Sequence, residues 1–246
     1  MEWEAPAIVL DARAHGESGA LVTVLTEQHG AYRALARGGG SRGQASLWQR
    51  GNIIQARWVA RLADQLGNIS AELLHAGAAE TMNEPLPLAI LTSACAVAEG
   101  ALPEREPHPR SFIGLVHILD TLSSIETAIP LLVRWEASLL AELGYGLDLS
   151  CCAVTGVETG LAYVSPRTGR AVERSAAGDW RSRLLPLPGF LTGGNSMGPA
   201  DWRDGLRLTG HFLARDAFGH HNRPLPPARI ALDDRIAALA EGNAHR

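Results

Sequence analysis

From the N-terminus to about residue 75 the apolar positions alternate with polar or small ones, the period of two that sends successive side chains to opposite faces of a β-strand. Ala7–Arg13 and Leu21–Thr26 read as short strands, the second with Leu21, Thr23 and Leu25 on one face and Val22 and Val24 on the other. His15-Gly16-Glu17-Ser18-Gly19 between them reads as a turn. Gln28-His29-Gly30 turns into a third strand, on which Arg33, Leu35 and Arg37 share one face and Tyr32, Ala34 and Ala36 the other. Gly38-Gly39-Gly40-Ser41-Arg42-Gly43 is too rich in glycine to be helical. A long β-type run follows from Leu47 to Leu62, with Gly51-Asn52 as the place where it would bend, and Asn68–His75 closes the set. Five short strands with no helical crossover exclude a parallel βαβ sheet. The pattern predicts a five-stranded OB-type β-barrel, because closure removes the exposed edges.

Beyond Glu80 the period changes to that of helices. Leu88–Leu102 is an alanine-rich apolar stretch, Pro103–Pro109 is a spacer, and Phe112, Leu115, Val116, Ile118, Leu119 and Leu122 recur at helical spacing. A third helix is expected from Pro130 to Leu143, with proline at its start and Gly144 at its end. Three such helices predict a bundle. Cys95 and His117 lie within these apolar runs, where buried structural roles are expected for both. Asp233-Asp234-Arg235 reads as a helix start, and Gly219-His220-His221 as a surface or helix-end segment whose neighbouring imidazoles diverge. The fold class is α+β, divided into a barrel domain over residues 1–79 and a helical domain over residues 80–246.

Charge adds a candidate site. Between Gly30 and Ala63 there are six arginines, Arg33, Arg37, Arg42, Arg50, Arg57 and Arg61, and no Asp or Glu, although the formal net charge of the 246-residue chain is −4. A basic strand, a flexible basic loop and a second basic strand would form a groove for a polyanion. Guanidinium groups meet phosphates as bidentate donors, and Trp48, Trp58 or Tyr32 would offer ring faces to unstacked bases. The same pattern also fits a solvated sheet face over a core that holds the tryptophans, and the arginines alone leave both readings open.

Several function classes find no support. Three cysteines, Cys95, Cys151 and Cys152, do not make a disulfide framework. The apolar runs are broken before the roughly 20 residues that a membrane span needs, and Met1-Glu2-Trp3-Glu4 is unlike a signal, which places the chain in the cytoplasm. There is no Gly-x-Ser-x-Gly elbow, and the Gly38 triplet lacks the Gly-Lys-Ser/Thr of a P-loop. No catalytic set and no cofactor are expected.

Residues along the whole chain carry a resemblance. The opening Ala7-Ile8-Val9-Leu10, the strand Leu21–Thr26, the turn Ala36-Arg37-Gly38-Gly39, the run Glu142–Leu149 before the cysteines, Pro186-Leu187-Pro188 and Pro-Leu-Pro-Pro-Ala-Arg at 224–229 occur in the order found in the RecO family of recombination mediators. The chain resembles that family along essentially its whole length. The resemblance implies an OB barrel, a helical domain and a small zinc-ribbon-like β insertion at about 147–180. It also implies DNA repair by binding single-stranded DNA, annealing complementary strands, and loading the RecA recombinase onto SSB-coated DNA with RecR. For the acidic tail of SSB, Arg110 or Arg134 would have to supply the basic anchor. One departure matters. Members with zinc carry two CxxC pairs, whereas Thr155 stands where the partner of Cys152 should be and 173–176 lacks a second pair, so the insertion is expected as a metal-free hairpin of Leu161–Val164 with Arg170–Glu173. The alternatives to strand binding are an interaction scaffold whose barrel binds no nucleic acid, and an RNA enzyme for which the sequence offers no active site.

Overall fold

The computed structural model describes residues 1–41, 43–62, 65–195 and 198–244, which fall into two compact units, Met1–Ser123 and Ser124–Arg246. In the first, β1 (Glu2–His15), β2 (Gly19–Thr26), β3 (Gly30–Ala36), β4 (Ile53–Val59) and β5 (Asn68–His75) close a barrel in the order β1-β2-β3-β5-β4. Neighbours are antiparallel except β3 and β5, which run parallel and meet at Leu35 and Asn68. The predicted OB-type barrel is therefore present. β1 serves both β2 and β4, and its register with β2 shifts between Val9 and Asp11, a bulge that bends the strand around the barrel. The long run expected from Leu47 is shorter as a strand. Residues 44–50 form turns, and Gly51, at φ 82°, redirects the chain just before β4.

Ala7, Ala34, Ala36 and Ala56 on the inner faces leave room for two large rings, Trp48 and Trp58, which are 4% and 2% exposed. Asn52 ties the turns to the barrel: its Nδ2 donates to the carbonyls of Ser46 and Leu47 at 2.8 and 3.1 Å, and its Oδ1 accepts from Ala78 N.

The first unit continues past the barrel through α1 (Gly77–Thr81), α2 (Pro85–Ala101) and α3 (Pro109–Asp120). α2 lies on β1, with Leu91 against Gly51 and Cys95 Sγ 3.9 Å from the carbonyl of Val9. Burial pushes the Cys95 thiol up to about 12, so it stays neutral in the structural role expected of it. His117 departs from expectation. The buried face of α3 is Phe112, Leu115, Ile118 and Leu119, and His117 falls on the opposite, exposed side.

The second unit opens with α4 (Ile125–Glu142), which begins five residues before the expected Pro130 and carries that proline inside it at the cost of one intrahelical bond. Of the three expected helices, the first two fall in one unit and the third in the other. α2 and α3 belong to the barrel unit, whereas α4 packs on α5 (Pro199–Phe212), and α5 on α6 (Pro227–Ala244). Prolines open α2, α3, α5 and α6, where the missing N–H is no loss. Asp233 and Asp234 consequently sit inside α6 rather than at a helix start. A buried ion pair holds these helices. Arg229 and Glu136, both 0% exposed, meet through Nε–Oε1 at 2.6 Å and Nη2–Oε2 at 3.0 Å; Thr209 Oγ1 donates to Glu136 at 2.5 Å, and Arg229 Nη2 also donates to the carbonyl of Leu206.

Between α4 and α5 lies the expected small β element, with three strands rather than two: β6 (Leu161–Val164) is flanked by β7 (Ala171–Glu173) and β8 (Leu185–Pro186). Its core gathers Cys152, Tyr163, Val172 and Ala177.

Candidate nucleic-acid interface

The alternation on β3 and β4 turns Ala34, Ala36, Ile54, Ala56 and Trp58 inward and places Arg33 and Arg57 outside, as the period predicted. What the sequence does not display is that acids distant along the chain meet half of these arginines. Arg33 reaches Glu104 at 3.4 Å and Glu99 at 3.8 Å. Arg57 Nε donates to Glu2 at 2.5 Å, and the Arg57 guanidinium holds the Glu2 carboxyl below its usual range. Arg50 pairs with Asp11; burial pushes that carboxyl up, but Arg50 and then Arg13 more than offset it. The local excess of positive charge is thus neutralised in place at Arg33, Arg50 and Arg57. Arg42 lies outside the described residues.

Arg37 and Arg61 differ. Both are exposed, and among the described residues neither has a carboxylate within ion-pair distance; Arg37 Nε donates to the neutral Asn68 Oδ1 at 2.8 Å. The two line one cleft of about 500 Å³, formed by the end of β3, the β4–β5 loop and the start of β5, together with Leu35, Val59, Gln65 and Leu66. The β4–β5 loop of an OB barrel is one of the two loops that frame its ligand face. The half-exposed Val59 and Leu66 beside two exposed guanidinium groups give the cleft the mixed character that a base and its phosphate require.

The ring faces expected for bases are otherwise engaged. Trp48 is enclosed in the barrel core and presents no face to solvent. Trp58 donates from Nε1 to the carbonyl of Leu66 at 3.0 Å and packs edge-on to Tyr32. Over both rings lies Arg105, 5.2 Å from the centroid of Tyr32 and 5.9 Å from that of Trp58. Arg105 has φ 64° and is held there because its N–H donates to Ala31 O and its Nη2 to Gln65 O. The spacer that carries it is seated so closely that a Cβ on Gly30 would run into the carbonyl of Glu106. Sequence reasoning passed over Arg105, since a single arginine in a proline-rich spacer has no period.

Of the two arginines considered for a partner's acidic tail, Arg110 is exposed in the first turn of α3, and Arg134 lies on α4 in the other unit. Arg134 is already committed: Nε and Nη2 donate to the carbonyl of Phe190 at 3.1 and 2.9 Å.

Known proteins resemble the sequence of this chain along essentially its whole length. Residues 1–76 match the family described as "Recombination protein O N terminal", and residues 82–224 the one described as "Recombination protein O C terminal". The chain belongs to the RecO family. It is similar to proteins named "DNA repair protein RecO" from Gluconacetobacter diazotrophicus, at 58% identity over 100% of this chain and 99% of that one, and from Granulibacter bethesdensis, at 58% over 98% of each. A relative of the same name from Phenylobacterium zucineum is 49% identical over 96% of this chain and 98% of its own. The two RecO families divide the chain between residues 76 and 82, whereas its packing divides it after Ser123.

The zinc that some RecO members carry does not fit the side chains found here. Cys152 Sγ accepts backbone N–H groups from Val154 at 3.4 Å and Glu173 at 3.3 Å, the geometry of a metal-binding turn, but Thr155 occupies the second ligand position and turns its hydroxyl to the same sulfur. Among the described residues no three His, Cys, Asp or Glu side chains converge. Burial pushes the Cys152 thiol up, yet the N–H of Glu173, the hydroxyl and N–H of Thr155 and the N–H of Val154 outweigh it and hold the thiol at about 7 against an ordinary 9.0. A depressed acid adds stability that is complete above its unfolded value and is lost as pH falls through the folded one. The urea midpoint of the parent is therefore expected to rise relative to Cys152→Ala between pH 7 and pH 9. Parallel pH profiles for the two proteins would contradict that assignment.

Among the described residues no helix is long and apolar enough to cross a membrane.

Proposed function

We propose that this RecO-family chain is a non-enzymatic DNA-repair protein that binds single-stranded DNA, anneals complementary strands and, with RecR, helps load RecA onto SSB-coated DNA. The observation that carries the reading is the cleft beside the β4–β5 loop of an OB barrel, where Arg37 and Arg61 are exposed and, among the described residues, meet no carboxylate, while their neighbours are paired. Guanidinium contacts to the backbone leave bases available for pairing, and neutralised strands approach one another without mutual repulsion, so annealing on such a surface needs no nucleotide hydrolysis. Arg110, exposed at the start of α3, is the better placed of the two candidate anchors for the SSB tail, because Arg134 is held by Phe190.

The test is a fluorescence-anisotropy titration of labelled single-stranded DNA at several salt concentrations. The double variant Arg37→Ala, Arg61→Ala is expected to bind more weakly across sequences alike, since phosphate contacts carry no base information. Its slope of log affinity against log salt should flatten by about 1.4, two contacts at roughly 0.7 each. A folded double variant that keeps the parent's affinity and slope refutes the assignment. The ion pairs of Arg33, Arg50 and Arg57 favour the second reading, a protein-interaction scaffold whose barrel binds no nucleic acid. That reading requires the parent itself to leave the labelled strand unbound.

A further inference from the structure

Among the described residues a second run of arginines without carboxylate partners lies outside the barrel. Residues 161–183 of the second unit hold five arginines, Arg167, Arg170, Arg174, Arg181 and Arg183, against two acids, Glu173 and Asp179. All five arginines are exposed. Arg170 pairs with Asp148 at 3.3 Å, but among the described residues none of the other four has a carboxylate within ion-pair distance. This is the reverse of the barrel, where distant acids meet half of the arginines.

Beside these arginines stands Trp180. Of the six tryptophans in the chain it alone is exposed, at 64%. It sits on the 3₁₀ turn Gly178–Arg183, whose preceding residue Ala177 is buried in the core of the three-stranded sheet and accepts the Trp180 N–H at 3.0 Å. The ring is therefore displayed from an anchored turn. Arg183 lies 5.2 Å from its centroid. Trp180, Arg183 and Arg167 line a common, mostly apolar depression of about 510 Å³, with Pro166, Val154 and Leu184. The turn bearing Arg167 is fixed as well, since His211 and Arg215 both bond the carbonyl of Pro166 and Arg215 also bonds that of Arg167. Little ordering remains to be done on binding.

We propose that Trp180, Arg167 and Arg183 form a second contact surface for unpaired nucleic acid, with a base stacked on the Trp180 ring and phosphates on the two guanidinium groups. The proposal rests on the reading of the chain as a single-strand binder and adds a site to it. An exposed indole with an arginine on it supplies a flat π-face and cation–π support for any base, and base–aromatic stacking of this kind is indifferent to sequence. A duplex keeps its bases inside the stack, so only an unpaired base reaches the ring. An acidic peptide would also meet the arginines, but an apolar anchor residue needs a pocket that encloses it, whereas here the largest apolar group projects outward.

The test uses the full chain, a labelled oligothymidine and an abasic deoxyribose-phosphate strand of the same length. Trp180→Ala is expected to weaken oligothymidine binding by roughly 5- to 150-fold, to leave the abasic strand and the melting temperature unchanged, and to be largely rescued by Trp180→Phe. Arg167→Ala with Arg183→Ala should weaken both strands and flatten the salt slope by about 1.4. If Trp180→Ala binds oligothymidine like the parent, or loses both strands equally, the inference fails. If it fails while Arg37→Ala, Arg61→Ala still weakens binding, the barrel reading stands alone; the opposite result leaves this surface standing without the barrel cleft. A parent that binds neither strand overturns both. Loss of an acidic peptide but not of oligothymidine in Trp180→Ala would make the surface a protein site and overturn the inference.

Discussion

Replacing Glu136 by alanine is expected to destabilise the second unit by about 3–5 kcal/mol. Arg229 is fully buried, and burial alone would pull its pKa down; the carboxylates of Glu136 and Asp233 reverse that and hold it well above its usual value. Without Glu136, the guanidinium keeps Asp233, 2.8 Å from Nη1, and the carbonyl of Leu206, but loses both short contacts to a carboxylate as deeply buried as itself. Thr209 loses its acceptor on Glu136 at the same time. The positive charge cannot be shed by titration, since arginine stays protonated. On the scale of a domain this size, such a loss lowers the midpoint of thermal unfolding by roughly 10–20 °C, to be read by calorimetry or circular dichroism. Replacing Glu136 and Arg229 together by methionine should cost clearly less, because the penalty comes from the orphaned charge rather than from the missing attraction. A Glu136→Ala protein as stable as the parent would show that water or local rearrangement reaches Arg229.

The second large effect is expected at Trp58. Trp58→Ala empties the barrel where the indole meets Tyr32 and Trp3 and where Arg105 rests on it, and it strands the carbonyl of Leu66. Loss of a buried Trp costs about 3–5 kcal/mol through the transfer of its surface and the cavity left behind. The first unit should therefore melt earlier, with Trp58→Phe falling between the two. The alternative role makes the opposite prediction: a base platform would lose DNA affinity with melting unchanged. The ring is 2% exposed, which decides for the core. A variant with full stability and weakened strand binding would reverse that decision.

The strands of the barrel were legible because their period is local: alternation at Leu21–Thr26 and at Arg33–Arg37 is enough to turn the right side chains inward. Helix boundaries were less so. Pro130 carries the signal of a first helical residue but lies inside α4, and Asp233-Asp234 carries that of a helix start but follows the true start at Pro227. In both places a correct local rule was overridden by the surrounding helix. The candidate site was half legible. Six arginines without a neighbouring acid are visible in the sequence, but Glu2 with Arg57, Asp11 with Arg50 and Glu104 with Arg33 are joined only by the fold. Trp180 was invisible for another reason, since a single exposed aromatic in a 3₁₀ turn belongs to no hydrophobic period.

The seating of α2 and α3 on the barrel bears on which stretch of chain folds by itself. Ile8 and Leu25 are cross-strand partners on the outer faces of β1 and β2, where alternation would put them in water, and yet both are fully buried. α2 runs against β1 and α3 against β2, and Leu91 fills the space left open by Gly51. A fragment cut at residue 79 would hold a complete ring of strands with a greasy outer wall and no Arg105 over its aromatic cluster. The compact unit that includes the cover of this wall is Met1–Ser123, and a fragment of that length is expected to stay in solution where one cut at residue 79 aggregates.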